Sequence, residues 1–133
     1  MTNGRTHPHG KPILCLDFDG CIHSYKSGWK GIDQCPDPPV PGVFEWIENA
    51  LHIFDIHIYS SRSIESRGRF AMQQYFADHG AKHLLDKLEF SDKKPMAFIT
   101  IDDRSVQFQG DWTDPRFNPE ILREFTPWYK FQR

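Results

Sequence analysis

Long apolar runs are absent from this chain of 133 residues. No segment approaches the roughly 20 consecutive apolar residues of a membrane-spanning helix, and residues 1–10 are too polar for a signal peptide. Cysteine is scarce: Cys15, Cys21 and Cys35 are odd in number and include no C-x-x-C spacing, which argues against a disulfide framework and a cysteine-based zinc site. Reduced thiols in a soluble cytoplasmic protein are expected. A dominant charge is missing too, since 16 basic residues face 18 acidic ones without a long single-sign block. Composition therefore supplies no broad electrostatic footprint for nucleic acid. Internal repeats and low-complexity tracts are also lacking. His7 and His9 flank a proline in a leader expected to be flexible, and are read as solvated rather than metal-binding.

What is present suits one packed core. The chain is 38% apolar and holds 11 Phe, 4 Trp and 4 Tyr, too aromatic for extensive disorder. A single domain over residues 11–133 is expected after the leader at 1–10.

Ile13-Leu14-Cys15-Leu16 is continuously apolar and stops at Asp17-Phe18-Asp19-Gly20. A short unbroken apolar run bounded by turn residues predicts a strand buried on both faces, as in a parallel sheet. Residues 24–41 are rich in Gly, Pro and Asp, which excludes a regular helix and predicts a loop or short hairpin. Val43, Phe44, Ile47, Ala50 and Leu51 recur at helical spacing. Residues 53–59 are β-branched and aromatic and end at Ser60-Ser61-Arg62-Ser63, which predicts a second strand. The longest predicted helix covers 64–79, closed by Gly80. A short strand at 88–90 and a stronger one at 98–101 follow, the latter ending in Asp102-Asp103. An edge strand at 106–109 and a helix at 119–125 complete the expected elements. This alternation predicts an α/β chain with right-handed crossovers around a mostly parallel sheet. Phe44, Trp46, Phe70, Tyr75, Phe98 and Phe108 are assigned to the core. Tyr25 and Trp29 lie in the Gly- and Pro-rich loop, where they either stack on a substrate or anchor the loop.

Three strand ends thus deliver Asp17 and Asp19, Ser60, and Asp102 and Asp103 to one rim, with Lys93 and Lys94 shortly before the last strand. Clustered carboxylates repel unless a proton or cation compensates them, and an all-oxygen ligand set favours a hard ion such as magnesium. Each motif alone has an ordinary explanation. D-x-D-G is a common turn, Ser60 a common helix N-cap that Ser61 or Ser63 could replace, and a lysine a common solvated charge. Their joint order carries the reading.

In that order the residues resemble the haloacid dehalogenase-like superfamily over about residues 11–110. Asp17-Phe18-Asp19-Gly20 matches the first motif, Ile58-Tyr59-Ser60-Ser61-Arg62 the second, Lys94-Pro95 the third and Ile101-Asp102-Asp103-Arg104 the fourth. More narrowly, the chain is similar to small capless members found in phage and bacterial genomes. The resemblance implies a three-layer Rossmann-like fold without a cap domain, and magnesium-dependent phosphomonoester hydrolysis through an aspartyl-phosphate. It casts Asp17 as nucleophile and metal ligand, and Asp19 as acid/base partner whose backbone carbonyl also holds the ion. Ser60, Ser61, Arg62 and Lys94 would bind the phosphate, Lys94 also neutralising charge in the reaction, while Asp102 and Asp103 would complete the metal site. Lys94 is preferred to Lys93 because the Lys-Pro pair matches the related pattern. Arg62 and Arg104 are close enough in sequence to reach substrate or brace the loops.

The gap between the first two motifs holds about 40 residues and the next about 33, neither sufficient for a cap once helices and strands are subtracted. An open site suits a phosphorylated substrate that is macromolecular, such as a nucleic-acid end or phosphoprotein, although some capless members act on small esters. Two alternatives stand beside hydrolysis: a receiver-like phosphoryl-aspartate signalling domain, which the motif order disfavours, and a catalytically silent phosphate- or nucleic-acid-binding module. Trp128, Tyr129 and Phe131 in the tail either pack on the domain or form a partner surface.

Overall fold

The structure is a computed structural model and describes residues 10–131. The expected leader, with His7 and His9, lies outside the described residues except for Gly10. Four strands form one sheet in which every pairing is parallel. They are β1 (Ile13–Leu16), β2 (Asp55–Ile58), β3 (Leu88–Phe90) and β4 (Ile99–Ile101), in the order β3-β2-β1-β4. The fold is thus α/β and compatible with a Rossmann-like arrangement. No described helix is long and apolar enough to cross a membrane.

Register explains the core. Leu14 lies opposite Ile56 and Ile99, and Leu16 opposite Ile58 and Ile101, so these side chains share one face of the sheet. Leu14, Leu16, Ile56 and Ile58 join Ile47 of α1 (Val43–Ala50) with Met72 and Phe76 of α2 (Ser66–Asp78) in one buried cluster. Gly68, Met72, Tyr75 and Phe76 are the buried residues of α2, an i, i+4, i+7, i+8 stripe.

Tertiary context altered several expected elements. The helix expected over 64–79 is broken: a 3-10 turn at Ser61–Ile64 precedes α2, with Glu65 extended between them. Residues 106–109 form no strand; Phe108 instead stacks on Trp112 at 4.4 Å. Of the aromatics assigned to the core, Tyr75 is buried and Phe44 partly so, but Trp46, Phe70, Phe98 and Phe108 are exposed. Phe70 is two residues from Met72 and therefore points away from the buried stripe of α2. Phe98 leads into β4, an edge strand, where even Ile99 stays 48% exposed. The short helix near the end, α3, spans Pro119–Arg123.

Gly68 marks a close approach. A Cβ there would collide with the backbone carbonyl of Arg62 and lie 3.0 Å from the Ile32 side chain. Alanine normally stabilises a helix interior by about 1 kcal/mol relative to glycine. Here Gly68→Ala is expected to destabilise by roughly 1–3 kcal/mol through overpacking, measured by urea denaturation. A stabilised variant would contradict this contact.

Parallel pairing puts all strand carboxyl ends on one edge, and the order places β1 between strands that precede and follow the reversal of the sheet. Ligands of such sheets bind at this switch point. The ladder continues into it, since the Asp17 N–H donates to the Ile101 carbonyl at 3.0 Å.

Candidate active site

Asp17 leaves β1 with its Oδ1 accepting from the Phe18 N–H at 2.9 Å. Asp102 leaves the neighbouring β4, its Oδ1 accepting from the Arg104 N–H at 2.8 Å. Asp17, Asp102 and Asp103 line one cavity of about 330 Å³ with Asp19, Ser60 and Ser61. Burial, a hydrogen bond shared with Asp103 and the charge of Asp102 push the Asp17 carboxyl up to about 9. Ligand atoms of Asp17, Asp103 and Cys21 lie within 4.8 Å of one another. Burial and the adjacent Asp17 and Asp103 carboxylates also raise the Cys21 thiol, so it stays neutral and leaves the charged donors all oxygen. Carboxylates this close hold a proton unless a cation replaces it. The donor set therefore fits a hard divalent cation such as magnesium.

Gly20 has φ +85°, and a Cβ there would strike the Asp103 carboxylate and lie 2.9 Å from the Tyr129 ring. Only glycine lets the turn after β1 pass under the cluster.

Asp19 is held from two sides. His23 Nε2 accepts from the Asp37 N–H at 3.0 Å, so the neutral imidazole carries its proton on Nδ1 and donates it to Asp19 Oδ1 at 2.9 Å. Arg62 Nε donates to Asp19 Oδ2 at 3.0 Å. The same guanidinium donates through Nη1 to the Gly31 and Ile32 carbonyls, each at 2.8 Å, and its Cζ lies 4.7 Å from the Trp29 ring centroid. Arg62 is fully buried. It faces Asp19 and the 24–41 loop, so of the two roles open to it from sequence its geometry is that of a loop brace. Trp29 covers the guanidinium while remaining half exposed.

Ser60 Oγ accepts from the Arg62 N–H at 3.0 Å and donates to Met72 Sδ at 3.6 Å, so it caps the 3-10 turn. Ser61 is exposed. Both serines also line a second, smaller cavity of about 160 Å³ with Asp17, Asp102 and Lys94. Of the two lysines weighed from sequence, Lys94 is the one that lines it.

Sequence reasoning missed His23 and left the tail open between two roles. The tail packs on the domain: Trp128 Nε1 donates to the Gly20 carbonyl at 2.7 Å, and Tyr129 is buried beside Tyr25 with ring centroids 5.5 Å apart. The available signals were a histidine four residues after Asp19 and a tail unusually rich in aromatics.

The site thus gathers three neighbouring carboxylates, an oriented fourth, two serines and a lysine at the carboxyl edge of a parallel sheet. Comparison with protein-family models, with curated proteins and with solved structures returns no match for this chain.

Proposed function

We propose that this protein is a magnesium-dependent phosphomonoester hydrolase of the haloacid dehalogenase-like type, working through an aspartyl-phosphate on Asp17 in a capless, three-layer Rossmann-like domain. The observation that carries the reading is the convergence of Asp17, Asp102 and Asp103 with Lys94 and Ser61 around two adjoining cavities at the sheet's switch point. Asp17, Asp102, Asp103 and the Asp19 carbonyl would hold the ion. Bound there, magnesium would supply the missing positive charge, release the proton retained by the carboxylates and polarise the phosphoryl oxygens.

An Asp17 oxygen attacks phosphorus, and the bond from phosphorus to the leaving oxygen breaks as the aspartyl-phosphate forms. Asp19, an ionised carboxylate beside Arg62, takes the proton of the phosphomonoester monoanion and passes it to the leaving oxygen, then takes one from the water that cleaves the aspartyl-phosphate and regenerates Asp17. Arg62 and His23 keep the Asp19 carboxyl aimed. Lys94 offsets charge on the phosphoryl group, and the Ser61 N–H and hydroxyl are available to its oxygens.

Incubation with p-nitrophenyl phosphate is expected to release phosphate with magnesium and to stop when EDTA is added. Acid-quenched protein is expected to carry a phosphoryl group labile to hydroxylamine, as an acyl phosphate is. Release unaffected by EDTA, or turnover with no acyl-phosphate trapped under any quench time, would sink the proposal. A phosphoryl group that forms but persists for minutes would instead favour the receiver-like alternative.

A further inference from the structure

The two cavities divide the substrate. Asp17, Ser60, Ser61 and Asp102 line both, so the reacting phosphorus belongs on their boundary. Lys94 lines only the smaller one and Asp19 only the larger. Since Asp19 must reach the leaving oxygen, the leaving group occupies the larger cavity. Among the described residues lining that cavity, Arg104 is the single cation.

Arg104 is fixed without being used up. Its Nη2 donates to the Tyr129 hydroxyl at 2.9 Å, and its Nε lies 3.9 Å from Asp103 Oδ2. Tyr129 is only 3% exposed, anchored by its edge contact with Tyr25 and by the neighbouring Trp128 bond to Gly20. The Arg104 side chain nonetheless remains 56% exposed. A guanidinium has five N–H donors in a planar fork suited to carboxylate or phosphate, and most of these are uncommitted. The rest of the lining is four carboxylates with the neutral Tyr25, Tyr129, Ser60 and Ser61, so Arg104 is the one lining group whose charge attracts a second anion on the substrate.

We propose that Arg104, oriented by Tyr129, is a specificity residue that selects phosphomonoesters whose leaving group carries a second anionic group. The proposal rests on the hydrolase reading above. Both carboxylate and phosphate present the required paired oxygens.

The test compares kcat/KM at low ionic strength for glycerol 1-phosphate, 3-phosphoglycerate and propane-1,3-diol bisphosphate, with p-nitrophenyl phosphate as the reference for turnover. These leaving groups carry no second anion, a carboxylate and a phosphate respectively. The wild-type protein is expected to prefer one or both anionic substrates over glycerol 1-phosphate by about tenfold to a hundredfold, the worth of one charge-assisted contact. Which one is preferred identifies the anion. Arg104→Met is expected to bring that ratio near one, chiefly through KM, and Arg104→Lys to retain part of it. Added salt should shrink the ratio in the wild-type protein. A wild-type ratio near one, or an Arg104→Lys or Arg104→Met variant that slows all substrates equally, overturns the subsite while leaving the hydrolase reading intact. Failure to turn over p-nitrophenyl phosphate as well overturns both.

Discussion

Asp17→Asn is expected to lower aryl-phosphate turnover on the order of 10⁴-fold or more while making the metal-free protein more stable. Both effects follow from one carboxyl. Asparagine cannot form the acyl phosphate, so phosphate release falls to background. In the folded protein burial, the Asp103 hydrogen bond and the Asp102 charge raise Asp17 from 3.8 to about 9. The folded state therefore holds that proton more tightly than the unfolded chain, and metal-free stability falls as pH rises between these values and levels off above the higher one. Asparagine carries no such proton, so the variant lacks this decline. At pH 8 in EDTA its Tm should exceed that of the wild-type protein by roughly 2–6 °C, the equivalent of about 1 kcal/mol in a domain of this size. Near pH 4 the difference should shrink, and magnesium should stabilise the wild-type protein more than the variant. Melts at both pH values, with EDTA and with magnesium, check all three statements. A fully active variant removes Asp17 from the chemistry, and an unchanged Tm at pH 8 removes the charge cluster as its cause.

Arg62→Met is expected to cost about 3–5 kcal/mol, the usual consequence of deleting one partner of a buried ion pair. Asp19 is left 13% exposed with only His23 beside it, and the Gly31 and Ile32 carbonyls lose their side-chain donor. Methionine fills much of the volume but supplies none of these bonds. Lysine restores the charge, yet a single ammonium cannot reproduce the fork that serves Asp19 and two carbonyls at once. Arg62→Lys should consequently recover less than half of the loss. The double variant with Asp19→Asn should be less destabilised than the sum of the two single changes by at least about 1 kcal/mol, because the ion left unpaired has been removed. Denaturant titration of the four proteins measures the cycle. Strict additivity, or a cost for Arg62→Met within about 0.5 kcal/mol of zero, the ordinary range for a surface change, contradicts the role of Arg62 as a loop brace.

Features written in consecutive residues were legible without coordinates. The apolar run before Asp17, the helical spacing from Val43 to Ala50 and the strand before Asp102 all formed, since local period and turn chemistry decide them. The parallel sheet then follows from their alternation, and with it the delivery of Asp17, Ser60 and Asp102 to one edge. The edge strand expected at 106–109 failed because the alternation of Val106 and Phe108 with glutamines is only a local signal, and Phe108 packs on Trp112 instead. Burial of Phe70 and Phe98 failed because hydrophobicity alone says nothing about which face of an element meets the core.

By itself, then, the sequence determined that acidic and hydroxyl side chains gather beyond a parallel sheet, because each sits at the end of its own strand. Only the tertiary structure decided what each polar group binds. Arg62 meets Asp19 across 43 positions of sequence and Trp128 meets Gly20 across 108, distances over which no local pattern has any purchase. Arg62 turns inward because a buried carboxylate and two loop carbonyls need its donors. Arg104 stays outward because one buried phenol suffices to orient it, leaving the rest of its fork facing the cavity.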